Sequence, residues 1–349
     1  MKKVRWGVLG AARIATVKVI PAMQRGKWCE IAAIASRDHS KAETAAESLG
    51  IPKAYGSYDQ MLADPEIDAV YNPLPNHLHV PLSIRAAEAG KHVLCEKPIA
   101  LNAVEALELI AARDRTGVII GEAFMVQTHP QWNRTIEIVR SGRIGELRFA
   151  MGSFGYFNRV AENIRNIAAY GGGGLMDIGC YPIKTTRMVF GEEPIRVCGT
   201  LHRDPEFGTD ILASAVLEYP SGQCIFGCST QIVPNQSMQF FGTKGRIHLE
   251  IPFNAIPNET SRILIDDGRD LRGGGITVEE FAPCDQYTIQ GDLFSRAIRE
   301  GRRPPVPLED SVRNMAVIDA LFRSAESGKW ETVQREFTPA AAPTAGRPS

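Results

Sequence analysis

The sequence lacks an excess of charge of either sign. Its 349 residues include 39 lysines and arginines against 40 aspartates and glutamates, which leaves a formal net charge of -1 at pH 7. A protein that covers nucleic acid or an anionic membrane surface needs a concentrated positive patch. We therefore expect no nucleic-acid partner, and we expect the polarity of this chain to be concentrated at a small-molecule site.

The sequence also lacks a long apolar run. No stretch approaches the roughly 20 apolar residues that a membrane-spanning helix needs. Residues 1–10 have positive charge but neither the apolar region nor the cleavage site of a signal peptide, and they resemble a first strand. We expect no membrane partner and a cytoplasmic location.

Cysteine is sparse and irregularly spaced. The seven cysteines form no CxxC pair, and no histidine cluster lies nearby at the spacing of zinc ligands. The pattern predicts buried, reduced thiols and no metal site.

Short apolar runs alternate with helical stretches as far as residue 122. Strands that are apolar throughout and separated by helices predict a parallel sheet that is buried on both faces. We therefore predict an α/β Rossmann domain, with a doubly wound parallel sheet, over residues 1–122. Its candidate strands are 5–9, 30–35, 68–72, 92–95 and 118–121.

The pattern changes after Glu122. A helix predicted over 132–140 precedes several longer strands that are connected by hairpin turns, and a second helix is predicted over 311–324. This pattern predicts an α+β domain with an open-faced, mostly antiparallel sheet over residues 123–336. We expect residues 337–349, rich in proline and alanine, to form a disordered tail. The candidate strands of the second domain are 146–157, 195–202, 211–218, 223–229, 238–241 and 246–251.

A glycine turn follows the first strand. A dinucleotide fold needs a tight turn at this point, so that the diphosphate can face a helix N-terminus. The G-x-G-x-x-G/A pattern keeps its first glycine here and has alanine at its second and third positions, so a plain strand-to-helix turn stays an alternative. The candidate phosphate-binding residues are Gly10, Ala11, Ala12, Arg13 and Ile14.

The end of the second strand indicates which dinucleotide binds. An acidic residue there would bind the ribose 2′-hydroxyl of NAD, whereas a cation accommodates the 2′-phosphate of NADP. Ser36, Arg37 and Lys41 suit a phosphate monoester, because Arg presents a planar fork of donors to its oxygens. We predict that NADP(H) is preferred. NAD(H) stays possible, since Asp38 can turn inward.

Two further motifs carry a resemblance to a known family. Residues 76–79 (Asn-His-Leu-His) and 89–98, ending in Glu96-Lys97-Pro98, resemble one signature of the glucose–fructose oxidoreductase and inositol dehydrogenase family, Gfo/Idh/MocA. Residues 171–182, Gly-Gly-Gly-Gly-Leu-Met-Asp-Ile-Gly-Cys-Tyr-Pro, resemble its second signature. The resemblance extends over residues 4–330 and implies a Rossmann domain followed by an open-faced antiparallel sheet. Residues 123–132 and 163–165 are more similar to the branch of sugar dehydrogenases and dihydrodiol dehydrogenases.

The predicted chemistry centres on three residues of these motifs. Oxidation of a hydroxyl requires a base as well as a hydride acceptor, and Tyr181 is the candidate base. We expect the Lys97 ammonium to lower the pKa of this phenol toward neutrality. Asp177 precedes Tyr181 by four residues, so both face one side if the stretch is helical. Taken singly, Lys97 can pair with Glu96, Tyr181 can be ordinary packing and Asp177 can serve a helix dipole; the joint motif match favours catalysis.

The resemblance and the strand ends together imply further contacts. Leu74, Asn76, His79, Glu96 and Lys97 are the remaining candidate cofactor-binding residues. The candidate substrate-binding residues are Lys97, Tyr156, Asn163, Arg165, Asp177 and Tyr181.

We therefore predict an NADP(H)-dependent oxidoreductase that acts on a sugar or related polyol as an aldose 1-dehydrogenase of the xylose or glucose type. A sugar-ketone (anhydrofructose-type) reductase and a trans-dihydrodiol dehydrogenase stay open, as does an enzyme that shuttles hydride between two sugars without releasing its nucleotide. A non-catalytic dinucleotide-binding regulator is the alternative from another class. We expect a homodimer or homotetramer formed through the open sheet face.

Overall fold

The computed structural model describes residues 2–337. The disordered tail predicted over 337–349 lies outside the described residues from residue 338 onward. The described chain forms two sheets, one with six strands and one with nine. Among residues 2–337, no helix combines the length and the apolar character needed to cross a membrane.

The first sheet is parallel throughout, in the order β3-β2-β1-β4-β5-β6. Its central strands carry apolar side chains on both faces, which fits a sheet with helices on each side. The strand order reverses between β1 and β4, and ligands of doubly wound sheets bind at such a reversal. The strands are β1 (Val4–Leu9), β2 (Cys29–Ala35), β3 (Lys53–Tyr55), β4 (Ala69–Asn72), β5 (His92–Glu96) and β6 (Ile120–Ala123).

Five helices connect these strands. The α5 helix begins where the Asn102 side chain accepts a hydrogen bond from the Glu105 amide, and it ends at Gly117 in the left-handed conformation. The doubly wound fold predicted from the alternating pattern is confirmed. The helices are α1 (Ile20–Gln24), α2 (His39–Leu49), α3 (Tyr58–Leu62), α4 (His79–Glu88) and α5 (Ala103–Thr116).

The second sheet has the order β14-β13-β12-β11-β7-β10-β9-β8-β15. Its neighbouring strands are antiparallel except for β7 and β10, which run parallel, so the predicted mostly antiparallel sheet is confirmed. The strands are β7 (Leu147–Phe157), β8 (Arg196–Arg203), β9 (Asp210–Glu218), β10 (Gln223–Ser229), β11 (Gln231–Gly242), β12 (Arg246–Leu249), β13 (Ser261–Asp266), β14 (Ile276–Phe281) and β15 (Glu331–Thr332).

Helices of the second half pack against both sheets. They are α6 (Pro130–Arg140), α7 (Cys180–Phe190), α8 (Gln286–Glu300) and α9 (Leu308–Ser327). The α6, α7 and α9 helices lie on the second sheet. The α8 helix returns to the first sheet, where the indole N–H of Trp6 donates to the Ser295 hydroxyl at 3.0 Å and Phe294 packs on the Trp6 ring. This contact joins the two halves of the chain.

Several elements were missing from the sequence prediction. β3 has only three residues, and β14 carries mostly exposed side chains, so neither shows a clear apolar alternation. The α8 helix does have an apolar spacing, with Tyr287, Phe294 and Ile298 seven and four residues apart, which is a signal that could have revealed it.

Candidate active site

A cavity of about 1350 Å³ opens where the carboxyl ends of the parallel strands face the second sheet. Its volume exceeds the range of about 300–1,000 Å³ that is usual for a single drug-sized ligand. Residues that directly follow β1 and β2, together with the last residue of β5, line one part of it, and residues from β7, β11 and the segment before α7 line the other. The cavity therefore has room for two ligands side by side.

The predicted phosphate cradle forms the floor of one end. Gly10, Ala11, Ala12, Arg13 and Ile14 all line the cavity. Gly10 has a φ of 87°, and a side-chain carbon at this position would lie 2.8 Å from a methyl carbon of Leu74. The turn therefore requires glycine, and it leads directly into the helical stretch that continues as α1.

The end of β2 offers cations but no carboxylate to this cavity. Ser36, Arg37 and Lys41 line it. Asp38 turns toward the start of α2, where it accepts a hydrogen bond from the Ser40 hydroxyl at 2.7 Å and lies 3.7 Å from the Lys41 ammonium. This geometry fits a phosphate on the ribose, because the one acidic group that could repel it is directed elsewhere.

Leu74, Asn76, His79 and Glu96 line the middle of the cavity. The two ring nitrogens of His79 lie 2.7 Å from the carbonyl oxygens of Leu74 and Pro98, and the ring is buried. Burial lowers the pKa of His79 to about 4. His79 therefore lines the cavity, as expected of a candidate cofactor-binding residue, but both of its ring nitrogens are directed at carbonyls of the loops that shape the cavity.

Asn76 and Glu96 are also held by protein groups. The Asn76 amide donates to the Gly171 carbonyl at 2.8 Å, which ties the first half of the chain to the glycine-rich segment. The Glu96 carboxylate accepts from the Tyr71 hydroxyl at 2.6 Å and from the Lys97 amide at 3.2 Å. Burial raises the pKa of Glu96.

Four of the predicted site residues meet at one carboxylate. The Lys97 ammonium donates to the Asp177 carboxylate at 3.1 Å and to the Asp177 carbonyl at 2.6 Å. The other Asp177 oxygen accepts from the Tyr156 hydroxyl and from the Arg165 Nε, both at 2.7 Å. Burial alone would raise the pKa of Asp177, but the cations of Arg165 and Lys97 hold it well below its usual range. The carboxylate is therefore ionised and fixes all three partners.

Tyr181 lies beside Lys97, but not in the predicted way. The Lys97 ammonium is 5.0 Å from the centre of the Tyr181 ring and lies over its face. The phenol hydroxyl is directed at the Met125 sulfur, 3.7 Å away. Burial raises the pKa of Tyr181 well above its usual value. The expected lowering of this pKa by Lys97 is therefore wrong, because the charge lies at the ring face and the phenol is surrounded by Phe124, Phe154 and Phe253.

A wide helical turn presents Asp177. Residues Leu175–Gly179 form one π-type turn, and α7 follows directly. Pro182 has no backbone N–H to donate to the preceding turn, which accounts for this local departure from α-helical geometry. The turn begins where the Leu175 amide donates to the buried Asp210 carboxylate at 2.6 Å. Asp210 is a supporting residue that the sequence prediction did not include.

The glycine run before this turn approaches protein groups closely. A side-chain carbon on Gly172 would lie 2.5 Å from the Arg165 carbonyl oxygen, and one on Gly173 would collide with the Asp210 carboxylate. The run therefore allows tight packing of the loop that carries Arg165. Asn163 begins the short turn that carries Arg165, because its side-chain oxygen accepts a hydrogen bond from the Arg165 amide at 3.1 Å. The Asn163 residue also lines the cavity.

Comparison with known proteins identifies the family. Residues 4–124 match the family model described as "Oxidoreductase family, NAD-binding Rossmann fold", and residues 132–248 match the model of the "GFO/IDH/MocA C-terminal domain". The chain is 51% identical, over 95% of its length and 100% of the relative's, to an uncharacterized oxidoreductase of Rhizobium meliloti.

Two relatives carry more specific descriptions. The chain is 39% identical to a D-xylose 1-dehydrogenase (NADP(+)) of Haloferax volcanii, covering 93% of this chain and 98% of the relative. It superposes with a TM-score of 0.87 and 29% identity on KijD10, a 3-ketoreductase from Actinomadura kijaniata whose crystal structure is in complex with NADP and TDP-benzene, covering 93% and 98% of the two chains. The family resemblance seen in the motifs is confirmed. This chain is an enzyme and belongs to the GFO/IDH/MocA family of oxidoreductases.

Proposed function

We propose that the protein is an NADP(H)-dependent aldose 1-dehydrogenase that oxidises the anomeric carbon of a neutral sugar. The observation that carries this proposal is the Asp177 carboxylate, which holds Lys97, Tyr156 and Arg165 in the cavity that carries Arg37 at its nucleotide end. The NADP(+)-dependent xylose dehydrogenase among the relatives supports both the cofactor and the substrate class.

Each part of the chain has a role in this proposal. Residues 1–122 bind the cofactor, and residues 123–336 bind the sugar and a second copy of the chain. The Ser36, Arg37 and Lys41 side chains hold the ribose phosphate, and Gly10 to Ile14 hold the diphosphate. The nicotinamide supplies hydride acceptance when it is bound.

The remaining residues bind and activate the sugar. The Lys97 ammonium donates a hydrogen bond to the reacting oxygen and stabilises its developing negative charge. The Tyr181 phenol exchanges the hydroxyl proton. Arg165, Tyr156 and Asn163 bind the neighbouring hydroxyls, and Asp177 orients Lys97 and accepts from the sugar.

A substrate panel tests this proposal. Purified protein with NADP⁺ is assayed for NADPH formation with xylose, glucose, galactose and arabinose, and then with inositol and trans-cyclohexanediol. We expect oxidation of at least one aldose and identification of the lactone product by mass spectrometry. Turnover of the cyclic diols without any aldose would instead support a dihydrodiol dehydrogenase, and the aldose proposal would fail.

A second candidate function is reduction of a sugar ketone. The observation that favours it is the raised pKa of Tyr181, because a neutral phenol is a proton donor at physiological pH. KijD10, described as a 3-ketoreductase, supports the same direction. NADPH consumption with 1,5-anhydrofructose, at a rate that exceeds every aldose oxidation, would favour this function over the first.

Two other functions considered from the sequence are a hydride shuttle between two sugars and a non-catalytic regulator. An enzyme that shuttles hydride between two sugars would retain its nucleotide during purification and show ping-pong kinetics. A non-catalytic regulator is set aside, because the family model describes an oxidoreductase and the Lys97, Asp177 and Tyr181 side chains are all present.

The Arg37→Ala variant tests the cofactor preference. Loss of charge-assisted hydrogen bonds to a phosphate is expected to raise the KM for NADP⁺ by about 10- to 100-fold. The KM for NAD⁺, which has no phosphate at this position, is expected to change less than about threefold. Initial-rate kinetics with both cofactors measure this. An equal rise for both would mean that Arg37 supports the fold of the loop and does not read the phosphate.

We also propose that the chain self-associates through the open face of the second sheet. Adjacent strands align one row of partly exposed side chains across this face, six of them apolar: Cys198, Val216, Ile225, Met151, Gln239, His248, Leu264 and Val278. A mostly apolar row across an open sheet face is typical of a surface that is covered in solution.

The Met151→Asp variant tests this surface. A carboxylate in the middle of the row would have to be buried without a partner, so we expect a dimer or tetramer to dissociate to single chains. Size-exclusion chromatography with light scattering measures the mass. Val104→Asp, at an exposed apolar position on α5, is the matched control and should leave the mass unchanged. A wild-type protein that is already monomeric at micromolar concentration would contradict the proposal.

A further inference from the structure

The cavity continues beyond the reacting groups. Gln236 on β11 and three residues after β12, namely Glu250, Ile251 and Asn254, line this far end. Gln236 is aligned with Phe154 on the neighbouring strand, and the Phe154 ring packs 5.4 Å from the Tyr181 ring. The far end therefore adjoins the reaction centre from the second sheet.

The side chains at this end suit hydroxyl groups. The Gln236 carbonyl oxygen accepts from the amides of Phe253 and Asn254, both at 2.9 Å, which fixes the side chain. Within residues 2–337, the Gln236 amide nitrogen and the Asn254 side chain make no hydrogen bond, and Asn254 is exposed. Ile251 adds an exposed apolar surface beside them. Free amide donors and acceptors next to an apolar surface match a sugar ring, which has hydroxyls at its edge and C–H groups on its faces.

The charges at this end exclude a phosphate. Among the described residues, the cations that line the cavity are Arg13, Lys18, Arg37 and Lys41 at the nucleotide end and Lys97 and Arg165 at the reaction centre. The far end has Glu250, which pairs with Arg262 at 2.6 Å, and Arg262 does not line the cavity. A diphosphate there would have no cation to pair with and would face a carboxylate.

We propose that this far end is a subsite for a second, neutral sugar ring. The inference rests on the proposed aldose oxidation. When carbon 1 of a pyranose is held at Lys97 and Tyr181, carbon 4 lies on the opposite side of the ring, and a substituent on its oxygen extends away from the cofactor. Reducing disaccharides with a 1,4 linkage are therefore substrates, with the reducing ring oxidised and the second ring bound by Gln236 and Asn254.

Paired substrates test the subsite. NADPH formation is measured with xylose against xylobiose and with glucose against cellobiose. In at least one pair we expect the kcat/KM of the disaccharide to equal or exceed that of its monosaccharide. Asn254→Ala should lower the disaccharide value about fivefold, as expected for the loss of one hydrogen bond, and leave the monosaccharide value within about twofold. Asn258→Ala, an exposed asparagine outside the cavity, is the matched control and should change neither.

Two measurements separate the subsite from the reaction. Thymidine diphosphate glucose, a charged competitor, should not inhibit disaccharide oxidation, and competitive inhibition at micromolar concentration would overturn the neutral subsite. Calorimetric titration of cellobiose or xylobiose into the NADPH complex measures binding without turnover. Binding that Asn254→Ala weakens, in a protein that oxidises no aldose, would support the subsite and refute the proposed reaction.

Three outcomes would overturn the subsite. One is aldose oxidation in which both disaccharides have less than a tenth of the monosaccharide kcat/KM. Another is an equal effect of Asn254→Ala on both members of a pair. The third is the absence of both oxidation and disaccharide binding, which would refute the subsite together with the proposed reaction.

Discussion

Lys97→Met is expected to lower kcat for aldose oxidation about 1,000-fold while the dissociation constant for NADP⁺ changes less than about threefold. The ammonium is held by the Asp177 carboxylate and carbonyl, at the end of β5 where a reacting oxygen can reach it. Loss of a preorganised donor to a developing oxyanion costs about 10²–10³ in rate, and loss of the charge adds to this. Fluorescence titration measures the cofactor affinity, and steady-state kinetics measure the rate.

Lys53→Met is the matched control for this variant. Lys53 is also a lysine in an ion pair of the first half of the chain, with Asp64 at 2.8 Å, but it does not line the cavity. Its replacement should leave kcat within about twofold. A Lys97→Met protein that lost cofactor affinity in proportion to its rate would contradict a role at the reacting oxygen and would assign the lysine to cofactor binding.

The meeting of Lys97 with Asp177 was accessible from the sequence. Lys97 follows a buried parallel strand, and ligands of doubly wound sheets bind at the carboxyl ends of such strands. The motif match then linked it to Asp177, 80 positions later, and the spacing of Asp177 and Tyr181 gave them a common side. The position of Lys97 at a strand end and the motif match to Asp177 therefore both indicated the carboxyl end of the parallel sheet as the site.

The sequence was less able to predict the surroundings of the Tyr181 and His79 side chains. The effect of Lys97 on Tyr181 depends on which part of the phenol faces the ammonium and on how many aromatic rings surround it, and only tertiary packing decides both. The same holds for His79, whose ring nitrogens are directed at two loop carbonyls. The motif marks a position near the cofactor, but it does not say whether the side chain faces the ligand or the protein.

Two residues that lie outside the recognised motifs were also missed. Tyr287 lines the cavity from α8, and burial raises its pKa. Asp210 fixes the start of the turn that carries Asp177. Neither belongs to a motif, and each acts through a contact between segments that are far apart in the chain. Contacts of this kind depend on the arrangement of the two sheets, which local periodicity does not specify.

Tyr181→Phe is expected to lower kcat about 100- to 1,000-fold in both directions, because the phenol exchanges a proton with the substrate oxygen. The substitution keeps the ring that packs against Phe124, Phe154 and Phe253 and removes only a long contact to the Met125 sulfur, so folding stability should change by less than about 1 kcal/mol. Thermal denaturation checks stability, and assays with NADP⁺ and NADPH check the two rates.

The role of Tyr181 as a proton donor or acceptor also predicts how the rates of reduction and oxidation depend on pH. Since burial raises the pKa of Tyr181 well above its usual value, the phenol is neutral between about pH 6 and 9. As a proton donor it is fully available over this range, so the wild-type rate of reduction should be flat. As a proton acceptor it must first ionise, and the ionised fraction rises tenfold for each pH unit below the pKa, so the rate of oxidation should rise about tenfold per unit. Tyr181→Phe should abolish that rise. A wild-type oxidation rate independent of pH, or an unchanged slope in the variant, would show that another group takes the proton.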